Sequence, residues 1–150
     1  MQTEAQGWAG VLTFPRELSL DDDRLIARPA RELTVLRGAP LVPELDDAGA
    51  KRLDLATPAH AEIRLAGAAQ VEIVAADGTV SHIAALDAGP ASLFVDGSLL
   101  ELLPEQSEPS THRLYPQRGE VVRVRGALES AWVLRLPADD RRRDTLEETL

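Results

Sequence analysis

From Arg52 onward, turn-forming dipeptides interrupt the chain about every ten residues, and the stretches between them alternate apolar with polar side chains. The alternation is clearest in Val71-Glu-Ile-Val74, Glu120-Val-Val-Arg-Val-Arg125, Ala131-Trp-Val-Leu-Arg-Leu136 and Ala61-Glu-Ile-Arg-Leu65. Successive side chains of a strand point to opposite faces, so a period of two describes a sheet with one face buried and one wet. The pattern predicts strands near 53–57, 60–66, 70–76, 79–86, 91–96, 98–103, 111–115, 120–126 and 131–136, separated by Thr57-Pro58, Ala66-Gly67, Asp77-Gly78, Gly89-Pro90, Asp96-Gly97 and Arg118-Gly119. The Asp-Gly pairs predict hairpins closed by type I′ turns, which need positive φ at both central residues. With no long helical pattern between the strands, the expected fold is all-β, a two-sheet antiparallel β-sandwich over residues 51–137.

The ends differ from this middle. Residues 1–20 hold one apolar segment, Trp8-Ala-Gly-Val-Leu-Thr-Phe14, closed by Pro15. It reads as a strand at 8–14 without a hairpin mate, whose open edge and apolar side chains invite pairing with a second molecule. The isolated chain is therefore expected either to fray before Asp21 or to form a homodimer through residues 8–14. Residues 21–50, charged and punctuated by Pro29, Pro40 and Pro43, read as a linker with a strand or two, and Asp46-Asp-Ala-Gly49 as a turn. Residues 138–150 form a mixed-charge tail expected to fray.

Composition removes whole classes of function. A length of 150 residues suits one domain with a core of its own. Sixteen basic against twenty-five acidic residues leave a net charge of −9, which argues against a nucleic-acid partner. The absence of cysteine excludes disulfides and thiolate metal sites. No apolar run approaches the ~20 residues of a membrane span. Met1 to Gly10 show no leader pattern, so a bacterial cytoplasm is the expected location.

Little in the chain points to catalysis. His60, His82 and His112 are too scattered to converge on a metal, and no cofactor motif occurs. Ser98, in Asp96-Gly-Ser98, lacks a nucleophile elbow and reads as the first residue of a strand. Asp21-Asp-Asp23 lacks the later ligands of a calcium loop and reads as a charged turn. Of the five aromatics, Phe94 and Trp132 lie in apolar strands and are expected in the core, alongside Trp8, Phe14 and Tyr115 elsewhere. No catalytic, cofactor-binding or metal residue is assigned, and ligand-binding residues stay open.

Four blocks in order carry a resemblance. Gly7-Trp-Ala-Gly-Val-Leu-Thr-Phe-Pro-Arg-Glu-Leu18 resembles the Gly-Trp-x-Gly-x-x-Thr-x-Pro-Arg-Glu-Leu signature of glycoside hydrolase family 32, the invertases, sucrose-6-phosphate hydrolases, levanases and inulinases. Asp23-Arg-Leu-Ile-Ala-Arg-Pro-Ala-Arg-Glu-Leu33 is similar to the family's linker, Leu93-Phe-Val-Asp-Gly-Ser-Leu-Leu-Glu101 to its Phe-Val-Asp-x-Ser-x-x-Glu hairpin, and Arg113-Leu-Tyr-Pro116 to its Arg-x-Tyr-Pro. The resemblance implies a five-bladed catalytic propeller followed by a C-terminal β-sandwich, with retaining hydrolysis through a fructosyl-enzyme intermediate. The propeller's carboxylate motifs, Trp-x-Asn-Asp-Pro-Asn-Gly, Arg-Asp-Pro and Glu-Cys, are absent; Arg143-Asp144 lacks the proline. Residues 1–20 then correspond to a remnant of the last propeller strand, an orphan ahead of the linker. After Glu101, Leu102-Leu-Pro-Glu-Gln-Ser-Glu108 departs from the family's tighter turn.

Two functions are consistent with this. One is a non-catalytic C-terminal module that supports the propeller of a β-fructosidase and can make dimer contacts, with the propeller as partner. The other is a free-standing, lectin-like sandwich that binds a fructoside. This second role would need exposed aromatics, which five in the chain supply thinly.

Overall fold

The computed structural model describes residues 11–135. In chain order it contains β1 (Arg16–Asp21), β2 (Arg24–Pro29), a 3₁₀ segment (Arg31–Leu36), β3 (Arg37–Pro40), β4 (Glu44–Leu45), β5 (Lys51–Ala56), β6 (His60–Val74), β7 (Val80–Leu86), β8 (Ala91–Asp96), β9 (Leu99–Pro104), β10 (Ser110–Arg113) and β11 (Val121–Leu134). Every pairing is antiparallel.

Two long strands organise the sandwich. β6 has 15 residues and β11 has 14, and they run side by side over almost their whole length. The first half of β6 pairs with β8, and its second half with β7. β11 takes β5 on its first half and β3 near its end. One layer therefore reads β10-β9-β8-β6-β11-β3, and the other β7-β6-β11-β5-β4. The inner faces meet in one cluster that joins Leu53, Leu55, Val71 and Val124 to Ile63, Leu93, Val95 and Leu100. This is the expected antiparallel sandwich, with strands that switch layer by bending.

The bend corrects the strand list. The segments expected at 60–66 and 70–76 are one strand, as are those at 120–126 and 131–136. Ala66-Gly67 is thus no turn. It belongs to a waist of small residues where β6 and β11 approach closely. Gly126 has φ +132°, and a Cβ there would lie 2.3 Å from the Ala68 carbonyl oxygen. Between Leu128 and Ser130 the register slips by one residue. That bulge reverses which side chains face inward, so Val122 and Val124 point into the interior while Trp132 and Leu134 point outward.

The Asp-Gly turns form, but not as type I′. Among non-glycine residues described, positive φ occurs at Asp22 alone. Gly78 (φ +86°) closes the β6–β7 turn with its N–H on the Ala75 carbonyl, while Asp77 stays at negative φ. In the β8–β9 turn Gly97 (φ +58°) is the first central residue, the arrangement of a type II′ turn. The Asp46–Gly49 turn is present, with the Gly49 N–H on the Asp46 carbonyl at 2.8 Å.

The N-terminal segment departs most from expectation. Residues 11–15 lie outside any strand, and the ladder begins at Arg16, which enters a hairpin with β2. The reason is local: the Phe14 N–H goes to the Glu101 carboxylate instead of to a neighbouring strand. Within the described residues the segment is fastened to the sandwich from Phe14 on, by the Phe14 N–H and Arg16 on Glu101. Trp8 and the tail at 138–150 lie outside the described residues.

Candidate functional site

The residues singled out for chemistry do not converge. His60 Nδ1 lies 2.6 Å from Asp96, His82 Nδ1 3.2 Å from Glu72, and His112 Nε2 3.1 Å from the Ser110 hydroxyl. Among the described residues no three His, Asp or Glu side chains are grouped so as to hold a metal. Ser98 is the second residue of the β8–β9 turn, not the first of a strand, and its carbonyl accepts the Leu114 N–H. Asp21 to Asp23 form the exposed tip of the β1–β2 hairpin. The strand expected at 98–103 is β9, Leu99–Pro104, so Leu102 to Pro104 of the divergent segment lie in the ladder and the loop follows Pro104.

What the fold does assemble is a line across one layer. Cross-strand partners place Thr111, Glu101, Phe94, Glu62, Trp132 and Pro40 in a single row over β10, β9, β8, β6, β11 and β3. Residues directly opposite one another share a face. Leu93 and Val95 point into the sandwich, so this row lies on the outer surface of the layer. Its middle is nonetheless dry: Glu101 and Phe94 are fully buried, and Glu62 is 3% exposed. The cover is the segment from Phe14 to Arg37.

Each buried carboxylate of this row meets an arginine from that cover. Glu101 Oε2 accepts the Phe14 N–H at 2.8 Å, and Oε1 accepts from Arg16 Nη2, which also donates to the Thr111 hydroxyl at 3.1 Å. Glu62 takes Arg37 in a two-pronged contact, Nε to Oε2 at 2.8 Å and Nη2 to Oε1 at 2.7 Å. Arg37 also lies 3.9 Å above the centre of the Trp132 ring. Charge-assisted contacts to both oxygens, forked at Glu62 and shared with a backbone N–H at Glu101, are what makes burying these carboxylates tolerable. Between the two anchors Phe14 packs on Phe94 with ring centres 4.9 Å apart, in a second apolar cluster with Leu33, Leu103 and Leu134. Phe94 is core as expected, but of this outer cluster. Trp132, also expected in the core, is only half-buried, because the bulge turns it to the outer face.

A signal for the two glutamates stood in their strands. Leu99-Leu-Glu-Leu-Leu103 and Ala61-Glu-Ile63 set a carboxylate inside an apolar run, and a strand covered on both faces can keep one only if it is paired. Arg16 and Glu101 belong to separate motif blocks that the fold brings into contact.

The hairpin borne by this cover is poorly buried. Ile26 and Ala27 are 4% exposed, whereas Leu18, Leu20 and Leu25 are 64%, 75% and 55% exposed on one face of the β1–β2 pair. Elsewhere among the described residues the hollows are open and mixed in lining; one of about 290 Å³ is mainly apolar, with Leu41, Leu55 and Val133. One of about 390 Å³ is lined by Asp87, Gln106 and Glu108 without an aromatic side chain.

The outer face of the other layer is dressed with ion pairs. Arg123 forks onto Asp54 at 2.7 and 2.9 Å, and Arg125 reaches Asp46 at 2.6 Å. The bond from Arg123 lowers the Asp54 pKa, and that from Arg125, helped by the Ala50 and Ala48 N–H groups, lowers that of Asp46. A depressed carboxylate pKa stabilises the fold fully above the unfolded value of about 3.9 and loses that contribution as pH falls through the native value. Thermal stability should therefore drop below about pH 4, and Asp54→Asn should make that acid limb shallower; parallel melts between pH 5 and 2 that superimpose would refute the assignment.

No family model matches the chain. A 35-residue stretch, 23% of this chain and 7% of the relative, is 43% identical to the sucrose-6-phosphate hydrolase of Zymomonas mobilis. Among solved structures, a GH32 β-fructofuranosidase of Bombyx mori superimposes with a TM-score of 0.64 at 23% identity, over 88% of this chain and 34% of that one. A family 32 glycoside hydrolase of Bifidobacterium adolescentis gives 0.59 at 18% identity, over 82% and 25%. The chain thus has the all-β fold of a part of these enzymes and spans about a third of their length or less. The resemblance to family 32 read from the four sequence blocks points to the same family as these sequence and structure matches.

Proposed function

We propose that the chain is a non-catalytic C-terminal β-sandwich module of a family 32 glycoside hydrolase, supporting a propeller that hydrolyses sucrose or fructans. The observation that carries this reading is coverage: nearly the whole chain superimposes on a third of a β-fructofuranosidase. The exposed leucines of the hairpin supply a surface for the propeller, and they follow directly on the exposed Val11 and Leu12. The same apolar surface would serve a homodimer in the absence of that partner.

The lectin-like alternative finds less support. Among the described aromatics Tyr115 is the one that is exposed, and the hollows of about 390 and 290 Å³ carry no aromatic side chain. Titrating the chain with sucrose, fructose and inulin while following tryptophan emission separates the two. The module reading expects no saturable change and no release of fructose; a saturable shift would move the assignment to carbohydrate binding. Leu20→Lys should change stability by less than about 0.5 kcal/mol, since the side chain is three-quarters exposed. A larger loss in a denaturant melt would show that this face is already covered within the chain.

A further inference from the structure

We propose that Glu101 and Glu62 act as a two-point clamp that makes the segment from Phe14 to Arg37 a rigid arm of the sandwich, so that ion pairs, added to the apolar contact of Phe14 and Leu33 with Phe94, set the direction of the β1–β2 hairpin. Two-stranded hairpins are marginal alone, and this one buries only Ile26 and Ala27 deeply while Leu18, Leu20 and Leu25 face outward. Hydrophobic burial has no directional preference, so so small an anchor leaves the hairpin free to swivel. The polar contacts remove that freedom. One carboxylate, that of Glu101, grips the backbone before Pro15 and the side chain after it. At the far end, Glu62 holds Arg37 with both oxygens, and the Arg135 N–H on the Leu36 carbonyl at 2.7 Å fixes the same turn. The base of the arm is closed by the Ala30 N–H on the Pro15 carbonyl at 3.0 Å, and its side is tied by Arg24 Nη1 to the Gln106 carbonyl at 2.8 Å. Both clamp points lie in the same cross-strand row, one on each side of Phe94.

A purely stabilising pair and a positioning pair answer one substitution differently. Replacing both partners of a buried ion pair with apolar residues often restores stability, but it cannot restore direction. Hydrogen exchange on the 150-residue chain should show the amides of β1 and β2 exchanging about tenfold faster in R16L/E101L, with the amides of β8 and β9 within about twofold of the parent. Unchanged hairpin exchange with an intact sandwich would overturn the clamp, and so would a uniform rise through β8 and β9, which marks a merely structural pair. If R16L/E101L does not fold, R16K decides the matter, because lysine keeps the charge and loses the guanidinium shape whose Nη2 meets both Glu101 and Thr111. Hairpin exchange selectively raised by R16K supports the clamp, and exchange identical to the parent refutes it. All readouts are on this chain, so they fail or succeed independently of whether a propeller is its partner.

Discussion

Gly126→Ala should leave the chain largely unfolded at room temperature. Gly126 holds φ at +132°, and an added Cβ would stand 2.3 Å from the Ala68 carbonyl oxygen and 2.7 Å from the Ala69 Cα. Those atoms are backbone, and they can retreat only by opening the β6–β11 ladder that both layers share. Backbone strain and collision together should cost more than about 4 kcal/mol, at the extreme of single substitutions, out of a total stability of about 5–15 kcal/mol. Gly67 stands at the same waist and makes the control. A Cβ there would meet only the Ala127 methyl, at 3.4 Å, and Gly67 needs no positive φ. Gly67→Ala should cost less than about 1 kcal/mol. Equilibrium denaturation of the two variants checks the contrast; equal midpoints would mean that the waist is not where the layers are joined.

Phe94→Ala should have the second largest effect, about 3–5 kcal/mol for the loss of a fully buried ring. Its distinguishing feature is location. Leu93 and Val95 belong to the cluster between the layers, whereas Phe94 supports Phe14 and Leu33 on the outside. The cavity would open beneath the arm and between the two buried carboxylates. Limited proteolysis should then cut the segment from Phe14 to Arg37 before it cuts β8 or β9. Leu93→Ala, by contrast, should weaken the whole sandwich together. If Phe94→Ala releases nothing locally, the arm does not depend on the outer cluster.

The alternation in Val71-Glu-Ile-Val74 and Glu120 to Arg125 made the layers legible, because each of those strands has one wet face. It misled where the strands bend. Small residues at 66–69 and the bulge near Leu128 interrupt the period, and an interruption of that kind reads as a turn when the partner strand is unknown. The type I′ expectation failed for a related reason. Gly alone supplies the positive φ in these turns, and the aspartate serves as an acceptor, as Asp77 does for the Thr79 N–H at 2.9 Å. The outer row was legible only in pieces. Phe94 looked like core, and Arg16 and Glu101 each sat in a recognisable block. Their meeting, 85 residues apart in the chain, is a product of register. Trp132 was placed inward because a slip of one residue, invisible in sequence, reverses its side.

The most direct test of the accessory-module account is the DNA around the coding sequence of this chain. The account predicts that an open reading frame joined to it, or lying beside it, encodes the propeller carboxylate motifs Trp-x-Asn-Asp-Pro-Asn-Gly, Arg-Asp-Pro and Glu-Cys. A locus with an isolated reading frame for this chain and no propeller-encoding neighbour would contradict it, and would leave a β-sandwich whose hairpin serves a partner of another kind.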